Sequence, residues 1–475
     1  MKPLCAVARA AMSASLSAAL AAGAAPALAQ GVPAAVTEAL RRAAIPAGAA
    51  AVYVREVNAS RPLYAQNETQ AMNPASTMKL VTTFAALDLL GPAYTWKTRF
   101  LTTAPAADVL AGDLILQGGG DPKLVLENFW LLVRQLRPRG VREIRGDLVL
   151  DRSVFRLPPF DPGRFDADPL RPYNAGPDGL LLNFKALTFR FVPDPVKRVV
   201  EVLAEPRTAG NISPPRYAEG PCAPDWRGAL RADFSDPARP AFAGSYARGC
   251  AERNWPVSLY DPNAYAENLF RQLWTEAGGI LRGTVREGTT PAEATVLAER
   301  DSPALAEVIR DINKYSNNVM ARQLYLSLPV ALERAPGTLE GAERIVRTWL
   351  TRRNLPMPEL VIENGAGLSR IERISALHMG QLLQAAWAAP VMPEFVSSLP
   401  LLGSDGTLRR RMNGQEVAGR AHLKTGTLND VRAIAGYLLS GSGRRYVVVF
   451  MVNHANANAA QPAFEALLRG LFEAA

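Results

Sequence analysis

The chain has little of what a metal, thiol or triad enzyme needs. Its 475 residues include three cysteines and three histidines, and no His-Glu-x-x-His or paired Cys-x-x-Cys that would gather a zinc ion. With no Gly-x-Ser-x-Gly elbow, and only His378, His422 and His454 to serve as a base, a Ser-His-Asp hydrolase is a poor fit. Gly118-Gly119-Gly120 lacks the Lys-Ser/Thr of a phosphate loop and is read as a turn. No cofactor or metal is therefore expected. Lys/Arg tracts and aromatic-interleaved binding motifs are missing too, which argues against a nucleic-acid partner. Past residue 29 no apolar run reaches the roughly 18 residues that span a bilayer, so membrane contact is expected to be peripheral at most.

The one apolar stretch lies at the N-terminus. Lys2 and Arg9 precede an Ala-, Leu- and Ser-rich segment, and Ala27-Leu28-Ala29 before Gln30 fits small-residue cleavage. Residues 1–29 thus read as a cleaved signal peptide and the mature protein as periplasmic. Cleavage takes the formal charge from +9 to +7 by removing Lys2 and Arg9, a mildly basic balance that suits an anionic wall polymer. It also removes Cys5. Cys222 and Cys250 remain, and two cysteines in an exported chain favour a disulfide over two buried thiols.

What the chain does hold is three motifs, each occurring once: Ser76-Thr77-Met78-Lys79, Ser316-Asn317-Asn318 and Lys424-Thr425-Gly426. Pro74 precedes an apolar run, Met78, Leu80, Val81, Phe84, Leu87, Leu89 and Leu90, that stops at Gly91-Pro92, so 75–90 is predicted as a buried helix with Ser76 in its first turn. The i, i+3 spacing puts Lys79 on the same face, within reach of the Ser76 hydroxyl, and burial would lower its pKa towards that of a base. Ser316 lies in a stretch of helical apolar spacing; its hydroxyl can pass a proton, and the Asn318 amide can both donate and accept. Residues 421–427 read as a strand in which Gly426 lets a substrate backbone come close. There Lys424 offers fixed charge, and Thr425 and Thr427 offer hydroxyls to a carboxylate. Alone, each motif is more often decoration, a polar cap or a basic strand end than a site.

Taken together the set resembles the penicillin-recognising serine enzymes, and the spacing resembles their class C low-molecular-mass penicillin-binding proteins, D-alanyl-D-alanine carboxypeptidases that are also endopeptidases. Between Lys79 and Ser316 lie 236 residues, while Asn318 and Lys424 stand 106 apart; a large insertion after the first motif marks that branch. Gln117-Gly118-Gly119-Gly120-Asp121-Pro122, Glu363-Asn364-Gly365-Ala366-Gly367-Leu368-Ser369-Arg370 and the segment 399–408 are also similar to it. The resemblance covers nearly all of the mature chain.

The fold class expected is α/β (α+β). A discontinuous transpeptidase-like domain, 30–100 with 281–475, would carry an antiparallel sheet covered by helices. A Pro- and Gly-rich, β-rich insertion would fill 101–280, implied by the resemblance to be one domain with a second nested inside it. Strands are predicted at 49–54, 62–66, 113–117 and 146–151, a hairpin over 186–205, and a closing hairpin at 432–440 and 445–452 turned by Gly441-Ser442-Gly443. Helices are predicted at 34–44, 342–354, 375–388 and 462–475, the last packed on the sheet.

The resemblance implies a mechanism. Ser76 attacks the carbonyl between two D-alanines, Lys79 takes its proton, Ser316 relays it to the leaving amine with Lys424 nearby, and water hydrolyses the acyl-enzyme. Backbone amides of Ser76 and Thr427 would make the oxyanion hole, Asn318 would hold the substrate amide, and Thr425, Gly426 and Thr427 would seat the terminal carboxylate. Peptidoglycan peptides are the implied substrates and β-lactam antibiotics the covalent inhibitors. Asp168, in Pro162-Gly163-Arg164-Phe165-Asp166-Ala167-Asp168, falls where relatives carry the acid for the stem peptide's third residue, although Arg164 and Asp166 replace the aromatics that flank it there. Two alternatives stay open. A serine β-lactamase shares the motifs, but no Glu-x-x-Leu-Asn deacylation motif is present; a catalytically inactive wall-binding scaffold would need none of them.

Overall fold

The structure is a computed structural model that describes residues 31–474; the expected signal peptide and Cys5 lie outside the described residues. Two bodies of secondary structure follow from how the apolar residues are spaced. The first is a five-stranded antiparallel sheet in the spatial order 421–428, 431–439, 445–453, 50–56, 64–66. Its central strands, Ala50–Glu56 and Arg445–Asn453, are nearly continuous apolar runs because both of their faces are covered. Ala51, Tyr53, Val447, Val449 and Met451 face one core, with the helices Lys79–Leu90, Ala376–Trp387 and Asn318–Glu333. The alternate residues Val52, Val54, Val448, Phe450 and Val452 face a second core, closed by the helices Ala34–Arg42 and Gln461–Glu473. Antiparallel register joins chain ends: Ala50 opposes Val452, and Val54 opposes Val448.

A second five-stranded sheet, ordered 285–287, 148–151, 114–117, 97–102, 295–301, is mixed, its first two neighbouring pairs parallel and the others antiparallel. The boundaries expected at 100 and 281 cut through it. Lys97–Thr102 pairs along its length with Thr295–Asp301, so the inserted sheet takes strands from both sides of the assigned segment. The insertion is also less purely β than the Pro and Gly content suggested. Leu126–Arg134 and Pro262–Glu276 are helices, the second capped by the Asp261 carboxylate on the amides of Asn263 and Ala264 with Pro262 in its first turn. Phe129, Leu132, Leu269, Phe270 and Trp274 bury their faces against Phe100, Leu114 and Leu116.

Further out, the hairpin Leu187–Asp194 and Val199–Glu205, joined by Arg253–Val257, and a small sheet of 216–218, 241–247 and 230–233 wrap an aromatic nest of Phe189, Phe191, Trp226, Phe242, Tyr246 and Trp255. Cys222 and Cys250 are bonded beside it. The insertion is tied to the helices on both sides of Ser316: in the one after it Gln323 donates to the Asp178 carbonyl at 2.7 Å and accepts from the Asp178 amide at 2.9 Å, and in the one before it Asp311 pairs with Lys123 at 2.6 Å. No helix among the described residues is long and apolar enough to cross a membrane.

Candidate active site

The Ser76 motif opens its helix as predicted, but the first turn, Ala75–Met78, is a 3-10 turn before the α-helix Lys79–Leu90. The tighter turn is anchored upstream: the Asn73 side chain accepts from the Ala75 amide at 2.9 Å and donates to the Ser369 carbonyl at 2.9 Å. Ala75 itself sits at φ 46°, a left-handed conformation that a non-glycine residue adopts only where its surroundings enforce it. Two glycines enforce it. A Cβ on Gly367 would lie 1.9 Å from the Ala75 carbonyl oxygen, and one on Gly426 would lie 2.6 Å from that of Pro74. The Ser76 turn is thus clamped between the 363–370 segment and the 421–428 strand.

Lys79 is wholly buried, and its amine meets three oxygens: Ser76 Oγ at 3.0 Å, Asn318 Oδ1 at 2.6 Å, and the Ala366 carbonyl. Burial, with Lys424 close by, pushes its pKa well below that of an ordinary lysine. Glu372 opposes that shift and Arg322 adds to it.

Ser316 is not within a helix. It stands in the turn between Leu305–Lys314 and Asn318–Glu333, at φ 56°, next to the cap residue Asn317, whose side chain accepts from the Met320 amide. The apolar spacing on either side belongs to two helices that this break separates. Lys424, also wholly buried, donates to Ser316 Oγ at 2.8 Å and to the Thr425 carbonyl at 2.7 Å, and burial draws its pKa down to about 7. Thr425 Oγ1 lies 2.8 Å from Thr407 Oγ1, and Thr427 points to solvent on the outermost strand of the first sheet. Lys79 with Ser76 and Asn318, and Lys424 with Ser316, therefore form one set of two hydrogen-bonded groups that meet at the Ser316-Asn317-Asn318 turn, with Thr425, Gly426 and Thr427 on the strand that borders it.

Asp168 lies apart from that set. Its carboxylate accepts from Arg171 Nε, and it lines a cavity of about 640 Å³ with Asp225, Arg227 and Trp255 of the outer part of the insertion. Only Phe165, three residues earlier, reaches the Ser76 turn, packing with Ala75, Leu368 and Leu428.

Several residues around the site carried no recognisable pattern. Glu372 is wholly buried and accepts from the backbone amides of Glu363, Asn364 and Gly365 at 3.0–3.2 Å. Arg322, one turn after Asn318, is 6 % exposed. Lys314 pairs with Asp405 at 2.6 Å, tying the Ser316 turn to the 399–408 segment, whose Gly406 packs against the Lys314 carbonyl. The resemblance marks the segments 363–370 and 399–408 without saying what they do.

With this geometry in place, the comparisons with known proteins are unambiguous. Residues 32–473 match the D-Ala-D-Ala carboxypeptidase 3 (S13) family. A D-alanyl-D-alanine carboxypeptidase of Actinomadura sp. (strain R39) is 30% identical over 421 residues, covering 84% of this chain and 77% of its own. Penicillin binding protein 4 of Haemophilus influenzae has a similar fold, with a TM-score of 0.76 at 22% identity over 92% of this chain and 99% of that one. A penicillin G-acylated predatory endopeptidase of Bdellovibrio bacteriovorus matches at a TM-score of 0.52 and 16% identity, over 89% and 92% of the two chains. A lysine-bound serine, a second serine on a second lysine and a match across almost every described residue lead to one conclusion: the chain belongs to the D-Ala-D-Ala carboxypeptidase 3 (S13) family of low-molecular-mass penicillin-binding proteins.

Proposed function

We propose that this protein is a serine-type D-alanyl-D-alanine carboxypeptidase and endopeptidase, acting on peptidoglycan stem peptides and crosslinks through an acyl-enzyme on Ser76, and that penicillins acylate the same oxygen. The observation that carries the reading is the 3.0 Å contact between Ser76 Oγ and a fully desolvated Lys79 amine. A lysine whose pKa is depressed by burial holds a larger neutral fraction, and only the neutral amine can take a hydroxyl proton.

Ser76 Oγ bonds to the carbonyl carbon as its proton passes to Lys79 Nζ. The carbonyl π electrons move to oxygen, which the backbone amides of Ser76 and Thr427 receive. Collapse expels the D-alanine amine, which takes the Ser316 hydroxyl proton while Ser316 takes up in its place the proton that Lys79 removed from Ser76; the Lys424 ammonium, 2.8 Å from Ser316 Oγ, keeps its own protons and supports the charge of this relay. Water then attacks the ester, and Ser76 is regenerated. Asn318, already bonded to Lys79, holds the substrate amide, while Thr425 and Thr427 take the terminal carboxylate beside Gly426. In an endopeptidase cycle the leaving amine is the side chain of a crosslinked peptide instead. Asp168 belongs to the proposal as the acid for an ammonium on the third residue of the stem peptide, in exchange with Arg171.

Such substrates place the protein in the periplasm, exported by the segment 1–29, in keeping with a cysteine pair that is bonded in the structure. Incubation of the mature protein with a labelled penicillin tests the reading. A long-lived adduct on the Ser76 peptide is expected; rapid turnover would indicate a β-lactamase, and no adduct an inactive scaffold.

A further inference from the structure

Beneath the site, Glu372 is an ionisable side chain that none of the acylation steps uses. Its Oε1 takes all three backbone donors, from Glu363 at 3.1 Å, Asn364 at 3.0 Å and Gly365 at 3.2 Å, while its Oε2 makes no hydrogen bond. The next residue along that turn is Ala366, whose carbonyl receives Lys79 Nζ. Other bonds hold the same turn: Asn364 Oδ1 accepts from the Ala366 amide at 2.9 Å, and Thr82 Oγ1 donates to the Gly365 carbonyl at 2.7 Å.

The Ala366 carbonyl matters because of what a neutral amine offers. It has two N–H donors and one lone pair. Asn318 Oδ1 and the Ala366 carbonyl are both acceptors, so together they take the two hydrogens and leave the lone pair facing the third neighbour, Ser76 Oγ. Without the carbonyl, the amine can turn about its last bond and present hydrogen to Ser76 instead. We propose that Glu372 is the positioning residue of Lys79: by gathering the amides of Glu363, Asn364 and Gly365 it sets the Ala366 carbonyl on the lysine amine, and its carboxylate offsets the positive charge packed around that amine.

The charged neighbours are few and lie on different elements. Lys424 comes from the bordering strand, Arg322 from the helix after Ser316, and Glu363 and Glu372 from the turn itself. Burial pushes Glu372 upward, and its amide partners and Lys79 pull it back. As a carboxylate it favours the ammonium form of Lys79, so removing its charge makes the amine lose its proton at lower pH.

The inference rests on Lys79 as the acylation base, and the test separates the two. Glu372→Gln and Glu372→Ala are compared with wild type in three readouts: penicillin acylation rate against pH, the 15N titration of the Lys79 amine, and hydrogen exchange at residues 363–365. Glu372→Ala is expected to lower the limiting acylation rate tenfold to a hundredfold, with little change in non-covalent affinity, and to speed exchange at the three amides. Glu372→Gln keeps the acceptor. It is expected to retain protected amides and a rate within about threefold of wild type, with the acid limb and the Lys79 titration both moved down by about one pH unit. Wild-type acylation in Glu372→Ala, or a Lys79 titration unchanged in both variants, would overturn the proposal. A wild-type protein that penicillin fails to label would sink the functional reading, while the titration and exchange measurements would still decide the role of Glu372.

Discussion

Lys424 Nζ donates to Ser316 Oγ at 2.8 Å across 108 positions of sequence, and Ser316 meets it from a left-handed turn at φ 56°. Lys79 makes the matching contact with Ser76, which follows Ala75 at φ 46°. Both hydroxyls are thus presented by strained turns to lysines with no solvent exposure.

Ser76→Ala is expected to abolish penicillin labelling and peptide hydrolysis with a stability change within about 1 kcal/mol, because Lys79 keeps Asn318 and Ala366 as acceptors. Lys79→Ala should be nearly as inactive. Mass spectrometry of the labelled protein and a thermal melt check both; an adduct retained by Ser76→Ala would assign the nucleophile elsewhere.

Lys424 gives a pH signature of stability. In the unfolded chain it holds its proton to about 10.5, whereas folded it releases it near 7. Between those values the unfolded state binds more protons, so this group's contribution rises with pH, and its burial penalty is complete below 7. Lys424→Met is therefore expected to be inactive yet more stable by roughly 2 to 4 kcal/mol at pH 6, the gain fading towards pH 10. Denaturant titrations of both proteins at pH 6, 8 and 10 measure the difference; a gain independent of pH would show that the lysine titrates normally.

Gly367→Ala is expected to lower acylation more than a hundredfold and to destabilise the protein by several kcal/mol. Its φ is 77°, and the added methyl would meet the Ala75 carbonyl at 1.9 Å. Gly91, at φ 80° with open space around it, is the control: Gly91→Ala should cost stability without affecting the acylation rate of folded protein.

Reduction of Cys222–Cys250, which closes a separation of 28 residues, is expected to destabilise the insertion by about 3 to 4 kcal/mol in the chain-entropy model. Penicillin acylation should survive, since both sulfurs belong to the aromatic core of the insertion and not to that of the Ser76 helix. Non-reducing peptide maps and acylation with and without reductant test this; activity lost in step with reduction would mean that the two parts are coupled.

Asp168→Ala is expected to lower kcat/KM about tenfold for peptides with a free ammonium on the third residue, leaving penicillin acylation unchanged, and Arg171→Ala to raise it by freeing the carboxylate. No change in either variant would remove Asp168 from the site.

The parts of this fold written in short-range pattern could be read from the sequence. The Ser76 helix, the closing hairpin and the terminal helix declare themselves through apolar spacing bounded by Pro and Gly. Ser316 reads as part of a helical stretch because the apolar period continues on both sides of it; the break shows only in φ, which no residue there announces. The expected edges of the insertion at 100 and 281 fall inside a sheet because Lys97–Thr102 and Thr295–Asp301 pair across nearly two hundred positions, which no short-range pattern announces. Glu372 was invisible for a similar reason. A lone acid in Ile371-Glu372-Arg373 looks solvated until the fold closes over it.

The pairing of Ala50–Glu56 with Arg445–Asn453 also sets a schedule. A strand made among the first sixty residues has its partner among the last thirty, and Asn73, which anchors the Ser76 turn, donates its amide to the Asn453 side-chain oxygen and accepts from the Asn453 side-chain amide at its carbonyl, 380 positions later. The insertion, whose strands lie between 97 and 301, can complete its own sheet while the chain is still being made. The nucleophile, one of the earliest parts of the site to be synthesised, is then among the last to become competent. A chain that stops between residues 428 and 453 would carry all three motifs and lack the bonds from Asn453 that hold Asn73 beneath the Ser76 turn.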